Sequence, residues 1–154
     1  MSERSVTFYG IKSEFFPVAF KLIEKMYAIG ERILFLCDND DEVSLYNSKL
    51  WTFSRLSFIP SGNARTLSTE DAKFCHTWFS TDVVFHNDPM CLLHNGLNIF
   101  DGQLPLKRFR KVIDIFSLEL SSAAKDRATA YRCEDFSDQK VWLQSDNGWD
   151  QGEL

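Results

Sequence analysis

The run "RILFLC", residues 32–37, constrains the fold of this chain more than any other stretch. Apolar residues that do not alternate with polar ones describe a strand covered on both faces, as in a parallel sheet between helices. Its surroundings agree. "SVTFYG" reads as an earlier strand, and Phe16, Ala19, Phe20, Ile23, Met26 and Tyr27 then repeat at helical spacing. Pro17 stands near the start of that helix and Gly30 at its end, where each residue is favoured. After the run, Val43, Tyr46 and Leu50 mark a second amphipathic helix reaching about Trp51. Strand, helix, strand, helix in this order predicts a parallel α/β sheet with right-handed crossovers. The expected fold is a three-layer α/β sandwich with a central, mostly parallel sheet.

Further along, "SRLSFIPSGNARTLSTEDAK" has the Pro, Gly, Ser and Asn content of a loop. "KFCHTWF", "TDVVFH" and "MCLLHNG" are short strand candidates, and "KVIDIF" is a buried strand. "LSSAAKDRATAYRCED" is the last helix, with Ala124, Ala128 and Tyr131 on one face. "QKVWLQ" is read as a final edge strand. There are no repeats and no long linker. The reading is one α/β domain over residues 1–144, followed by an acidic, mobile tail over 145–154.

At 154 residues the chain can build one good core but not two ordinary domains. Its net charge of −5 argues against a phosphate backbone as the main ligand. The charge is uneven, however. Residues 104–132 hold seven Lys/Arg against three Asp/Glu, whereas residues 133–154 hold one against six. A basic surface gathered in one segment of an acidic protein suits an anionic peptide better than a duplex. Cys37, Cys75, Cys91 and Cys133 are scattered and form no CxxC pair, as expected of reduced thiols in the cytoplasm. No cleavable leader and no membrane-length apolar run are evident.

Several stretches fit both a chemical role and a plainer one. Asp38 and Asp40 follow a buried strand with the spacing of a magnesium-dependent, haloacid-dehalogenase-type motif. The same stretch contains Asn39-x-x-Glu42, a helix capping box, and that reading needs fewer parts. Neither GxGxxG nor GxxxxGK[ST] occurs, so backbone amides cannot close around a pyrophosphate, and no nucleotide cofactor is expected. The fold is therefore Rossmann-like without the nucleotide-binding glycine loop. Cys75-His76, His86 and Cys91-x-x-His94 lack the paired spacing of a structural zinc site, and no metal is expected. A Cys–His nucleophile pair has no local signature to support it.

Two features suit protein partners. Lys125 and Arg132 lie seven residues apart on the last helix and share a face with Thr129. Arg127 flanks it, and Lys107, Arg108, Arg110 and Lys111 could border it. Arginine offers forked hydrogen bonds to carboxylates. In "SKLWTFSRLSFIP", Leu50, Trp51, Phe53, Leu56, Phe58 and Ile59 crowd into a helix end and loop, as partner-binding surfaces do.

Taken in order, these pieces resemble the chi subunit of bacterial DNA polymerase III, part of the clamp-loader assembly. The resemblance rests on "VTFYG", on "GERILFLCDNDDEVSLYNSKLWTFSRLSFIPSG" and on "AYRCEDFS". It implies a non-catalytic adaptor in DNA replication that makes no direct contact with nucleic acid or membrane. One surface would hold the psi subunit of the clamp loader in a heterodimer, with Leu50, Trp51 and Phe58 at the contact. Another would hold the acidic, Phe-ended C-terminal tail of single-stranded-DNA-binding protein. Lys125, Arg127, Tyr131 and Arg132 would lie at that tail surface, with Phe116 as an apolar wall. Where family members carry a Tyr-Lys pair in the last helix, this chain has Ala128-Thr129, which implies either a weaker tail pocket or one completed by Arg127 and the 107–111 cluster. The chain's own acidic end, including Asp150 and Glu153, could compete for the same surface. The alternatives are a phosphohydrolase using Asp38 and Asp40, a Cys/His hydrolase, and an adaptor for a repair helicase.

Overall fold

In a computed structural model describing residues 4–53, 58–100 and 104–154, the apolar run forms strand β2 (Ile33–Leu36), buried throughout. Helix α1 (Phe15–Ala28) precedes it and buries Phe16, Ala19, Phe20, Ile23 and Met26 along one face. Gly30, at φ +77°, ends α1 in a left-handed backbone conformation that residues with a side chain rarely adopt. Its N–H donates to the Tyr27 carbonyl and that of Glu31 to the Met26 carbonyl, the paired bonds of a Schellman cap.

Helix α2 (Asp40–Phe53) leaves β2 through the expected capping box. Asn39 Oδ1 accepts from the Glu42 N–H at 2.9 Å, and Glu42 Oε1 accepts from the Asp38 N–H at 3.1 Å. One N–H that a helix start leaves orphaned, that of Glu42, and the Asp38 N–H just before the cap are thereby satisfied, and Asp40, Asp41 and Glu42 face the positive end of the helix dipole.

Eight strands form an open, mostly parallel sheet in the order β3-β4-β2-β5-β6-β1-β7-β8. The remaining strands are β1 (Ser5–Ile11), β3 (Ser61–Asn63), β4 (Thr77–Ser80), β5 (Cys91–Asn95), β6 (Lys111–Ser117), β7 (Asp138–Ser145) and β8 (Gly148–Gln151); helix α3 spans Ser121–Cys133. The fold is the Rossmann-like α/β sandwich that the patterning suggests.

Two compact units divide the chain, one of residues 16–92 and the other of residues up to 15 together with 93–154. In the first, β4 pairs in parallel with both β2 and β3. Strand β3 falls in the stretch expected to be loop. Its polarity hid it: Ser61 and Asn63 are buried, and Asn47 of α2 satisfies both side chains. Asn47 Nδ2 donates to Ser61 Oγ at 3.0 Å, and Asn63 Nδ2 donates to Asn47 Oδ1 at 2.7 Å. The candidate strand "TDVVFH" is instead bends and turns, anchored by the buried Asn87. Asn87 Nδ2 donates to the carbonyls of Ile33 and His76.

In the second unit β1 lies between β6 and β7, parallel to both, and β8 closes an antiparallel hairpin on β7. "QKVWLQ" is thus an inner strand and not the edge. The stretch 145–154, read as an acidic tail, contains the edge strand β8. The signal was Asp146-Asn147-Gly148, a hairpin-turn composition that ends with Gly148 at φ +127°.

Candidate protein-interaction surfaces

Helix α2 separates its last apolar residues by direction. Leu50 is buried in the core, so the account of it as a contact residue is corrected: it anchors the helix from within. One residue on, about 100° around the helix, Trp51 is 57 % exposed, and Phe58 is 59 % exposed. The two rings meet edge to face, with centroids 5.0 Å apart and planes at 67°. Such a pair leaves on the order of 200 Å² of aromatic surface in water, worth about 5 kcal/mol if fully covered. Leu56 lies outside the described residues. Trp51 also forms one wall of a cavity of about 440 Å³, shared with Ser48, Asn63 and Arg65.

Helix α3 presents the cationic face. Lys125, Thr129 and Arg132 are exposed and line a groove of about 490 Å³. Lys140 of β7 lines the same groove. Sequence reasoning missed it, although "QKVWLQ" places Lys140 and Trp142 at the alternate positions of one strand face. Arg127 is not part of this face. It stands about 200° around the helix from Lys125 and is only 6 % exposed. Phe116 and Tyr131 are buried as well, and none of the three lines this groove. Of the 107–111 cluster, Lys107 Nζ pairs with Asp135 at 3.3 Å. Ala128 is buried, and Thr129 beside it lies in the groove.

Beneath α3 runs a closed polar network. Arg127 binds Asp114 with a forked pair of bonds, Nε to Oδ2 at 2.8 Å and Nη2 to Oδ1 at 2.9 Å. Tyr131 donates its hydroxyl to Asp114 Oδ2 at 3.0 Å and accepts from His94 Nε2 at 2.8 Å. The Leu97 N–H donates to His94 Nδ1 at 3.0 Å, which makes that nitrogen an acceptor and the ring neutral, protonated at Nε2. The 3.5 Å approach of His94 to Asp114 is therefore no ion pair. Burial opposes the Arg127 charge, but the hydrogen bonds and charge of Asp114 outweigh it and raise its pKa. Burial also pushes the Tyr131 hydroxyl well up, reinforced by Asp114.

The same burial, aided by Arg127 and opposed by Asp114, lowers the His94 pKa. Below the ordinary histidine value of about 6.5, the unfolded chain therefore binds the proton that folded His94 refuses. Stability should fall as the pH drops through about 6.5 toward the folded-state value. His76, lowered by burial, acts in the same direction. Thermal unfolding at pH 7.5 and 5.5 checks this: the melting temperature should be lower at pH 5.5, and His94→Gln should shrink the difference.

The acidic strand end forms no cluster. Among the described residues, no three His, Cys, Asp or Glu side chains are placed to hold a metal. Asp40 lies 3.8 Å from Arg65 on the surface. Cys37 is buried, and its thiol is pushed far up, first by burial and then by Glu42. Cys75, Cys91, His76 and His94 are likewise buried. His76 closes its ring on the Glu31 carbonyl at 2.6 Å and the Thr77 hydroxyl at 2.8 Å. No described helix is long and apolar enough to cross a membrane.

A search of curated proteins finds no match. The family model described as "DNA polymerase III chi subunit, HolC" matches residues 3–139, most of the chain. On that match, the chain belongs to the chi subunit family of DNA polymerase III and is an accessory subunit of that replicative polymerase.

Proposed function

We propose that this subunit is a non-catalytic bridge in the bacterial cytoplasm, joining the clamp loader to DNA coated by single-stranded-DNA-binding protein. Trp51 and Phe58 dock a psi-type subunit to form a heterodimer. Lys125, Arg132 and Lys140 take the acidic, Phe-ended tail of the binding protein. The observation that carries the reading is the groove beside α3, where three cations from two elements surround a space sized for a few peptide residues. An acidic peptide gains charge-assisted hydrogen bonds there, and its terminal ring can lie against the Thr129 and Val141 side. Two contacts, each on the order of micromolar, become firm once held in one assembly through effective concentration.

Calorimetry with a peptide ending Asp-Asp-Ile-Pro-Phe tests this. Wild type should bind at low salt and more weakly as salt screens the charges. Arg132→Ala should lose about tenfold in affinity, the worth of one charge-assisted contact. No binding by wild type at low salt overturns the tail reading.

A further inference from the structure

The groove has a second wall made by the chain itself. β8 ends at Gln151, and the pairing with β7 extends one step further: the Gly152 N–H donates to the Val141 carbonyl at 3.0 Å. The approach is close. A Cβ on residue 152 would stand 2.6 Å from Leu143 Cδ1, so the backbone here runs directly against that side chain. Glu153 and Leu154 then line the same groove as Lys125, Thr129, Arg132 and Lys140. Leu154 is half-buried. An acidic residue followed by an apolar one against three cations has the chemistry of the peptide proposed to bind there. The family match ends at residue 139, so this wall comes from residues beyond it.

Resting on the tail-groove reading, we propose that residues 152–154 occupy part of the tail groove as an internal competitor, which an acidic, apolar-ended peptide must displace. The segment is tethered by a short hairpin, so its effective concentration at the groove is on the order of millimolar. A weak contact then suffices to hold the groove partly closed, and the observed affinity falls by the fraction left open. The device would favour partners that present many tails at once, as coated single-stranded DNA does, over a single stray tail.

The test compares the full chain with a chain ending at Gln151, which keeps β8. Peptide ending Asp-Asp-Ile-Pro-Phe is titrated into each, and amide exchange at Gly152 is followed in the full chain with and without saturating peptide. The truncated chain should bind about five times more tightly, and saturating peptide should speed Gly152 exchange by displacing the segment. Equal affinities, with Arg132→Ala still weakening both, overturn self-occlusion and leave the tail reading standing. Tighter binding without faster Gly152 exchange reduces the effect to removal of one negative charge, and also overturns it. Binding by neither chain overturns the tail reading and self-occlusion together.

Discussion

Arg127→Ala should lower the unfolding free energy by about 3–5 kcal/mol, because it strands the Asp114 carboxylate in the interior without its counter-charge. Asp114 is fully buried, and both its oxygens are bound by the guanidinium that the variant removes. Tyr131 would remain as a single donor, too little to replace a forked ion pair. The loss should appear as a shift in the urea midpoint with little change in slope. An Arg127→Met, Asp114→Leu double variant should recover part of it, since a buried pair is rarely better than matched apolar packing. In protein that is folded, the tail-peptide affinity of Arg127→Ala should change less than about threefold, because this side chain does not face the groove. A stability loss below about 1 kcal/mol would contradict the account of the network.

Trp51→Ala should produce the opposite pattern. Its ring is more than half exposed and meets chiefly the equally exposed Phe58, so removing it should change stability by no more than about 0.5 kcal/mol. Binding to the proposed psi-type partner should nevertheless weaken about a hundredfold, as truncation of a central aromatic anchor does. Phe58→Ala should cost somewhat less, and the double variant should fall short of the sum because the two rings touch. Unchanged partner affinity in Trp51→Ala would remove this surface from the proposal.

Most of the fold could be read where one periodicity dominated. The unbroken apolar run of β2 and the helical spacing of α1 each have a single physical explanation, the capping box of α2 has the simpler of two, and the structure uses all three. β3 escaped because its pattern is polar, and only the distant Asn47 makes burial of Ser61 and Asn63 acceptable. β8 is masked in the sequence by its acidic charge, although Asp146-Asn147-Gly148 carries the turn that pairs it with β7. The surfaces divide in the same way. The seven-residue spacing of Lys125 and Arg132 placed them on one exposed face, as helix geometry requires. Arg127, expected to flank that face, lies two residues from Lys125, which carries it roughly half a turn away and into the interior. The strand pattern of "QKVWLQ" puts Lys140 on one face of β7, but only the fold brings that face to the groove beside α3.

Bridging itself is the central claim, and it can be measured in one experiment. A psi-type subunit is immobilised, the chi-family protein is captured on it, and retention of single-stranded-DNA-binding protein carrying its intact tail is then followed. The account predicts retention by wild type, loss of the bound protein but not of the captured subunit with Arg132→Glu, and loss of capture with Trp51→Ala. Full retention in the presence of Arg132→Glu, or retention of a tail-less binding protein, would contradict it.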